Sequence, residues 1–199
     1  MKTYGHVERR RGDEIYDSQL IKWLIERGYI PENKKIKILD LASGKGNFYR
    51  ALKNMGYENV SACDLFPKFK ECKKEDLVKG LSYKKESFDL IISRDVAEHI
   101  LRSEDFFDEQ YRVLKRRGII IVMTPNAEKM TLGQFYDDYT HVRPFTRKSL
   151  YEALNWHGFE KVKVKRVRAI PRLWRYTIRA FDFLFSRRKN NLLGAGIKK

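Results

Sequence analysis

The sequence predicts an α/β fold: a doubly wound, mostly parallel sheet with helices on both faces. Three observations carry that expectation. Strand-like and helix-like segments alternate along the 199 residues. Segments 88–93 and 119–123 are apolar on consecutive positions, as in strands buried on both faces. Segment 36–41 ends near an acid, Asp40, and runs into the turn Ala42-Ser43-Gly44-Lys45-Gly46, which opens a helix. A strand, a tight glycine turn and a helix in that order let a ligand approach the backbone.

The elements follow in order. Residues 13–27 set Ile15, Leu20, Trp23 and Leu24 at roughly helical spacing, and Gly28 can stop that helix. Residues 31–34 form a loop before the first strand. The helix after the glycine turn runs to about Met55, with Gly56 at its end. Strand 59–64 ends before Pro67. The polar stretch 68–86 holds at most a short strand near 73–76. After strand 88–93, Ser103 is placed to cap a helix with Glu104 and Asp105 in its first turn, Lys115 to Arg117 in its last and Gly118 just beyond. Strand 119–123 follows, then a helix over 146–157 closed by Gly158. Residues 159–167 alternate, with Val162, Val164 and Val167 on an edge-type strand. Over 171–188, helical steps gather Arg172, Arg175, Arg179, Asp182 and Ser186 on a narrow face, while Leu173, Trp174, Ile178, Phe181, Leu184 and Phe185 cover the remainder. Residues 191–197 read as a short last strand weakened by Gly194 and Gly196. The expectation is one domain over 1–199, with a helical segment at 1–34 and a basic amphipathic helix at 169–190 inserted before the last strand.

A hydrophobic content of 42% and aromatic content of 13% argue against disorder. No run of 18 uncharged apolar residues occurs, so no transmembrane helix is expected. The first six residues lack a signal-peptide core. Cys63 and Cys72 give neither a disulfide framework nor a metal spacing, so no metal site is expected and a reducing cytoplasm is the default. The net charge of +16 is unevenly placed: residues 161–199 hold 13 Lys and Arg against one acid, Asp182. The body is nearly balanced, and the basic end suits acidic partners such as lipid headgroups.

With these residues in view, the chain resembles the class I S-adenosylmethionine-dependent methyltransferases of small-molecule type. Asp40-Leu41-Ala42-Ser43-Gly44-Lys45-Gly46 resembles the first motif of that family, with Ala42 where the family has its first glycine. Asp64 stands at the end of the second strand, where the family places an acid, and Glu75-Asp76-Leu77 where it places an adenine-contacting acid. Segment 87–93 followed by Val96-Ala97-Glu98-His99-Ile100 is similar to its fourth-strand region. Arg112 to Lys115 with Thr124-Pro125-Asn126 is similar to the fifth, and the resemblance continues from His141 through Phe159. It implies a Rossmann-like, seven-stranded sheet and S-adenosyl-L-methionine as cofactor. The implied cofactor-binding set is Asp40, Ala42, Ser43, Gly44, Gly46, Asp64, Leu65, Asp76, Leu77, Ser93 and Arg94. Asp40 and the turn would meet the ammonium and sulfonium end, Asp64 the ribose hydroxyls and Asp76 the adenine amine. A nicotinamide site is the nearest rival, but its glycine pattern lacks the third glycine here, where Asn47-Phe48-Tyr49 follows.

A hydroxyl acceptor also needs proton removal, and His99 and His141 are the candidate catalytic bases. His141 follows an aromatic, acid-containing segment, 135–140, that could line an acceptor pocket; a structural, hydrogen-bonded role is the alternative for either imidazole. The Asn/Asp-Pro-Pro-aromatic sequence of nucleic-acid amino-methyltransferases is absent, since that place reads Ser93-Arg94-Asp95-Val96, and neither cysteine sits where cytosine-C5 chemistry needs one. The expected acceptor is therefore a small molecule, a sugar or a lipid-linked compound rather than a nucleic acid. The basic segment 171–188 can cap the acceptor pocket, pack on a second copy of the chain as a homodimer, or touch the cytoplasmic face of a membrane. The second function class that fits is a non-catalytic nucleotide-binding protein with a membrane- or partner-binding basic tail.

Overall fold

The computed structural model describes residues 13–168 and 190–199. β1 (Lys37–Leu41) is central: it pairs in parallel with β2 (Asn59–Asp64) on one side and β4 (Phe88–Arg94) on the other. β3 (Cys72–Lys74) extends the sheet beyond β2, and β5 (Leu114–Pro125) pairs in parallel with β4. The last strand, β7 (Asn190–Lys198), runs antiparallel between β5 and β6 (Phe159–Arg168). The seven-strand order is β3-β2-β1-β4-β5-β7-β6. The expected doubly wound, mostly parallel sheet is present, with β6 on the edge the alternation of valines assigned it.

Period-two alternation divides the core between the two sheet faces. Ile38, Leu90, Ile92, Ile121 and Met123 pack with α1 (Asp13–Glu26) and α2 (Asn47–Asn54) through Leu20, Ile21, Leu24, Phe48 and Leu52. Leu39, Leu41, Ile91, Ile120 and Val122 pack with α3 (Ser103–Val113) and α5 (Arg147–Trp156) through Phe106, Phe107, Leu150 and Leu154. The consecutive apolar positions read from the sequence are thus shared between two helical layers. None of the described helices is long and apolar enough to cross a membrane.

Three local expectations change. Helix α3 stops at Val113, because the N–H groups of Glu86 and Ser87 take the carbonyls of Arg112 and Val113 and Leu114 pairs with Phe88 in the sheet. Lys115 to Arg117 therefore lie in a bulged start of β5 rather than in a last helical turn, and Lys115 Nζ sits 2.7 Å from Asp89. Ser103 is the first helical residue, and Arg102 holds the cap position without a side-chain cap. The third change concerns β7. Gly194 does not weaken it: a Cβ there would lie 2.9 Å from Leu154 and 3.0 Å from Leu150. The glycine is what lets α5 lie against the strand. A short helix, α4 (Leu132–Tyr136), was not expected; Thr131 and Gln134 form its capping box. Of the expected terminal segments, α1 falls within 1–34. Residues 1–12 lie outside the described residues, as does the expected basic helix at 169–190 apart from its last position, Asn190, which opens β7.

Candidate functional site

Strand order reverses between β1 and β4, and in sheets of this kind the crevice that takes ligands lies outside the carboxyl ends of the strands at such a point. The expected cofactor residues converge on this edge. After β1 the chain turns through Ala42, whose φ is +57°, and reaches Gly44 at +55° and Gly46 at +76°. Only a glycine fits the last position well, since a Cβ on Gly46 would lie 2.5 Å from the Phe69 ring. Ala42, standing at the family's glycine position, adopts the left-handed conformation anyway, a strain of about 1–2 kcal/mol.

Asp64 ties the turn to β2. Its Oδ2 accepts the Gly44 N–H at 2.8 Å and its Oδ1 the Phe66 N–H at 2.9 Å. Ser43 N–H donates to the Cys63 carbonyl at 3.0 Å, and its Oγ lies 3.4 Å from Cys72 Sγ. The Glu75 N–H donates to the Asp64 carbonyl, which brings the next acid to the same rim. Glu75 itself is buried and bonded to Ser82 and Lys73, whereas Asp76 is partly exposed, takes the Val78 N–H at 3.1 Å and leans on Lys79. Leu77 packs against the core and Leu65 is exposed beside Asp64.

Asp40 is the most perturbed acid of the site. It is buried, and its Oδ2 has no hydrogen-bond partner. Burial lifts its carboxyl from the ordinary 3.8 to about 7; Arg94 opposes the rise, Asp17 adds to it, and a hydrogen bond from the Tyr49 backbone opposes it again. Arg94, on the same face at the end of β4, is bonded to Asp17 of α1 at 2.6 Å and stacks over Phe48 at 4.3 Å from the ring centroid. Its side chain thus serves the α1 contact, and only its backbone can face a ligand in the crevice. Ser93, opposite Leu41 in the sheet, carries a buried Oγ with no partner.

His99 and His141 meet, with ring centroids 4.7 Å apart. His99 follows β4 in a single 3-10 turn, Ala97–His99, and His141 follows α4. The Glu98 carbonyl accepts the N–H groups of Val142 and Arg143, at 2.9 and 3.0 Å, which locks the two segments together. Glu98 is buried, and its Oε2 accepts from Thr124 Oγ1 at 2.9 Å. The segment 135–141 therefore sits beside the ends of β4 and β5, on the edge that carries Ser93.

Asp17 and Phe69 stand at this edge although the sequence did not single them out, and Asn126 and Asp138 were read only as parts of longer segments. Asp17 falls with Leu20, Ile21 and Leu24 on the inward face of α1, and an acid on such a face is the signal. Asn126 is fully buried at the end of β5, where its Nδ2 has no partner. Phe69 lies in a polar stretch with no periodicity to mark it.

A family model described as "Methyltransferase domain" matches residues 13–164. An uncharacterized protein of Methanocaldococcus jannaschii is 28% identical over 149 residues, 72% of this chain and 64% of that protein. The 2-methyl-6-phytyl-1,4-hydroquinone methyltransferase 2, chloroplastic, of Oryza sativa subsp. japonica is 24% identical over 147 residues, 68% of this chain and 42% of that one. This chain thus spans less than two thirds of the length of both curated relatives. A SAM-dependent methyltransferase from Archaeoglobus fulgidus superposes with a TM-score of 0.67 at 20% identity, covering 91% of this chain and 94% of that one. The chain belongs to the class I S-adenosylmethionine-dependent methyltransferase family.

The residues present fit that cofactor. A buried acid with an orphaned oxygen at the end of β1 calls for a cationic group, and the left-handed turn at 42–46 leaves backbone open to it. Asp40 and Ser93 would hold the methionine end, and Asp64 with Asp76 the ribose and adenine.

Proposed function

We propose that this domain moves a methyl group from S-adenosylmethionine to a small-molecule, sugar or lipid-linked acceptor. The observation that carries the reading is Asp40: a buried carboxyl with one orphaned oxygen at the switch point of the sheet, beside a left-handed glycine turn pinned to Asp64. Bound there, S-adenosylmethionine supplies an electrophilic sulfonium methyl. The chain's own part is to hold that end against Asp40, keep the ribose on Asp64 and align the acceptor while excluding water. Asp40, with its carboxyl near 7, gives up its proton readily once a cation sits beside it.

The imidazole pair, its ring centroids 4.7 Å apart just beyond the end of β4, would handle the proton of an acceptor hydroxyl. The name of the rice relative, a phytyl hydroquinone methyltransferase, supports an acceptor of the prenylated or lipid-linked kind. The basic segment 171–188 would then rest on the cytoplasmic face of an anionic membrane. The non-catalytic alternative has no finding in its favour.

Formation of S-adenosylhomocysteine tests the reading when the full chain meets phenolic, sugar and lipid extracts. Turnover is expected with wild type and lost in Asp40→Asn; cofactor binding with no turnover in any extract would sink it. The membrane contact is tested by co-sedimentation with anionic vesicles. Truncation before β7 is unsuitable, since β7 is an internal strand. The comparison chain instead replaces 171–188 by a Gly/Ser linker of equal length, and equal sedimentation of both chains would remove the membrane proposal.

A further inference from the structure

Glu98, His99 and His141 do more than line an acceptor pocket: we propose that they form a binding site for a divalent transition cation. One potential ligand atom from each residue lies within 4.8 Å of the other two. Ligands at about 2.0–2.2 Å from one ion stand about 3–4 Å apart, so small side-chain rotations close this set onto a metal. Three residues of this type leave open positions for exogenous ligands.

The hydrogen bonds around the cluster fix both imidazoles in the ligating form. His141 Nδ1 lies 2.7 Å from the Phe135 carbonyl, which can only accept, so Nδ1 carries a proton and Nε2 is the nitrogen left for a metal. His99 Nδ1 lies 2.8 Å from Thr140 Oγ1. The Thr140 hydroxyl donates its own proton to Asp138 Oδ1 at 2.6 Å, so its oxygen accepts from His99. His99 is thereby held in the same tautomer. Orientation of a ligating imidazole through its second nitrogen, toward a carbonyl or a carboxylate-linked group, is how metal sites are usually built. Glu98 is oriented by Thr124 Oγ1 at 2.9 Å, and its backbone by Val142 and Arg143.

The charges agree. Asp138 Oδ2 lies 4.0 Å from His141 Nε2, at the rim of the cluster. Asp138 Oδ1 accepts the Thr140 hydroxyl at 2.6 Å and the Thr140 N–H at 3.0 Å, which fixes the carboxyl in place. Two carboxyl groups, Glu98 and Asp138, beside two imidazoles make a donor set suited to a cation. Two nitrogens and one oxygen favour zinc, manganese or iron(II) over calcium or magnesium, which prefer all-oxygen sites.

Metal binding stands apart from the methyl-transfer reading; only its consequence rests on it. An ion held here, beyond the end of β4, would take an acceptor hydroxyl as a further ligand and make it more acidic, its proton passing to solvent. The histidines would then act as ligands, and the acceptor class narrows to compounds with a metal-binding hydroxyl.

Calorimetry on the metal-stripped full chain with zinc chloride, and separately with manganese and magnesium chloride, tests the site. About one equivalent of zinc or manganese should bind with a micromolar or tighter Kd, and magnesium at least tenfold more weakly. His141→Ala should weaken transition-metal binding more than tenfold, and Thr140→Val, which keeps all three ligands but releases His99, by about 10–100-fold. S-adenosylmethionine titrated into the same samples reports on the other site. Intact cofactor binding with no transition-metal binding, or with metal affinity unchanged in His141→Ala, overturns the metal proposal alone. Loss of cofactor binding by the wild type would count against the methyltransferase reading and leave the metal result to stand by itself.

Discussion

The two halves of the crevice are built in opposite ways. The proposed cofactor half is mostly local: Asp40, the turn at 42–46 and the start of α2 are one continuous stretch, joined by Asp64, Asp76 and Ser93 from elsewhere. The acceptor half is assembled from separate segments, with Glu98 and His99 after β4, His141 after α4 and Thr124 on β5. The first half stores electrostatic cost in a carboxyl with one oxygen left unpaired in a dry place. The second orients His99 through a relay from Asp138 through Thr140. One half waits for a positive charge to complete it; the other is prearranged around whatever it receives. Substitutions in the first should therefore trade binding against stability, whereas substitutions in the second should change ligand chemistry.

The largest effect expected from this contrast is at Asp40. Its native carboxyl, near 7, stands above the unfolded value of 3.8, so the folded chain holds a proton that the unfolded chain releases between those values. That contribution is complete below about pH 4 and is lost as pH rises through 7, a change on the order of 4 kcal/mol. Asp40→Asn should flatten this dependence and leave the chain about 2 kcal/mol more stable than wild type at about pH 8, with no gain at about pH 4. Urea unfolding at the two pH values checks it, and parallel curves for both proteins would contradict the assignment. Cofactor affinity should fall about 100-fold or more in the same variant, since a charged contact in a dry site is lost.

A smaller effect belongs to Asp64. Asp64→Ala removes the acceptor of the Gly44 and Phe66 N–H groups as well as the proposed ribose contact, and should weaken cofactor binding by about 10–100-fold, read by calorimetry. Outside the crevice, Gly194→Val should cost about 1–3 kcal/mol by forcing α5 away from β7, with the cofactor Kd unchanged in the protein that still folds. The smallest change is expected from Thr146→Ala, which breaks the capping box of α5 and should cost about 1 kcal/mol in urea unfolding. These last two sharpen the comparison by showing what purely structural damage looks like.

Much of the fold could be read in the chain because buried parallel strands are written as continuous apolar runs. The elements at 36–41, 88–93 and 119–123 each contain or fall within strands of the sheet. The end of α3 could not be read that way. Lys115 to Arg117 suit a helix terminus by charge alone, and only the pairing of Leu114 with Phe88 across the sheet decides for a strand. Gly194 misled for a similar reason: its cost as a strand residue is local, while its reason is the helix lying on it.

The site divides likewise. The glycine turn and the acids at strand ends follow from spacing in one stretch of chain. The meeting of His99 with His141 depends on Glu98 accepting two backbone N–H groups from a distant loop, and no periodicity announces it. Arg94 was singled out for its backbone, but its pairing with Asp17, 77 residues away on α1, was not legible.

The central claim is that the orphaned oxygen of Asp40 is completed by the cofactor's cationic end. Calorimetric titration of S-adenosylmethionine into wild type and Asp40→Asn between about pH 6 and pH 8 tests it most directly. Wild-type affinity should rise with pH up to about 7 and then level, as the carboxyl ionises, and the variant should bind at least about 100-fold more weakly without that dependence. Equal affinity in the two proteins across this range would contradict the account.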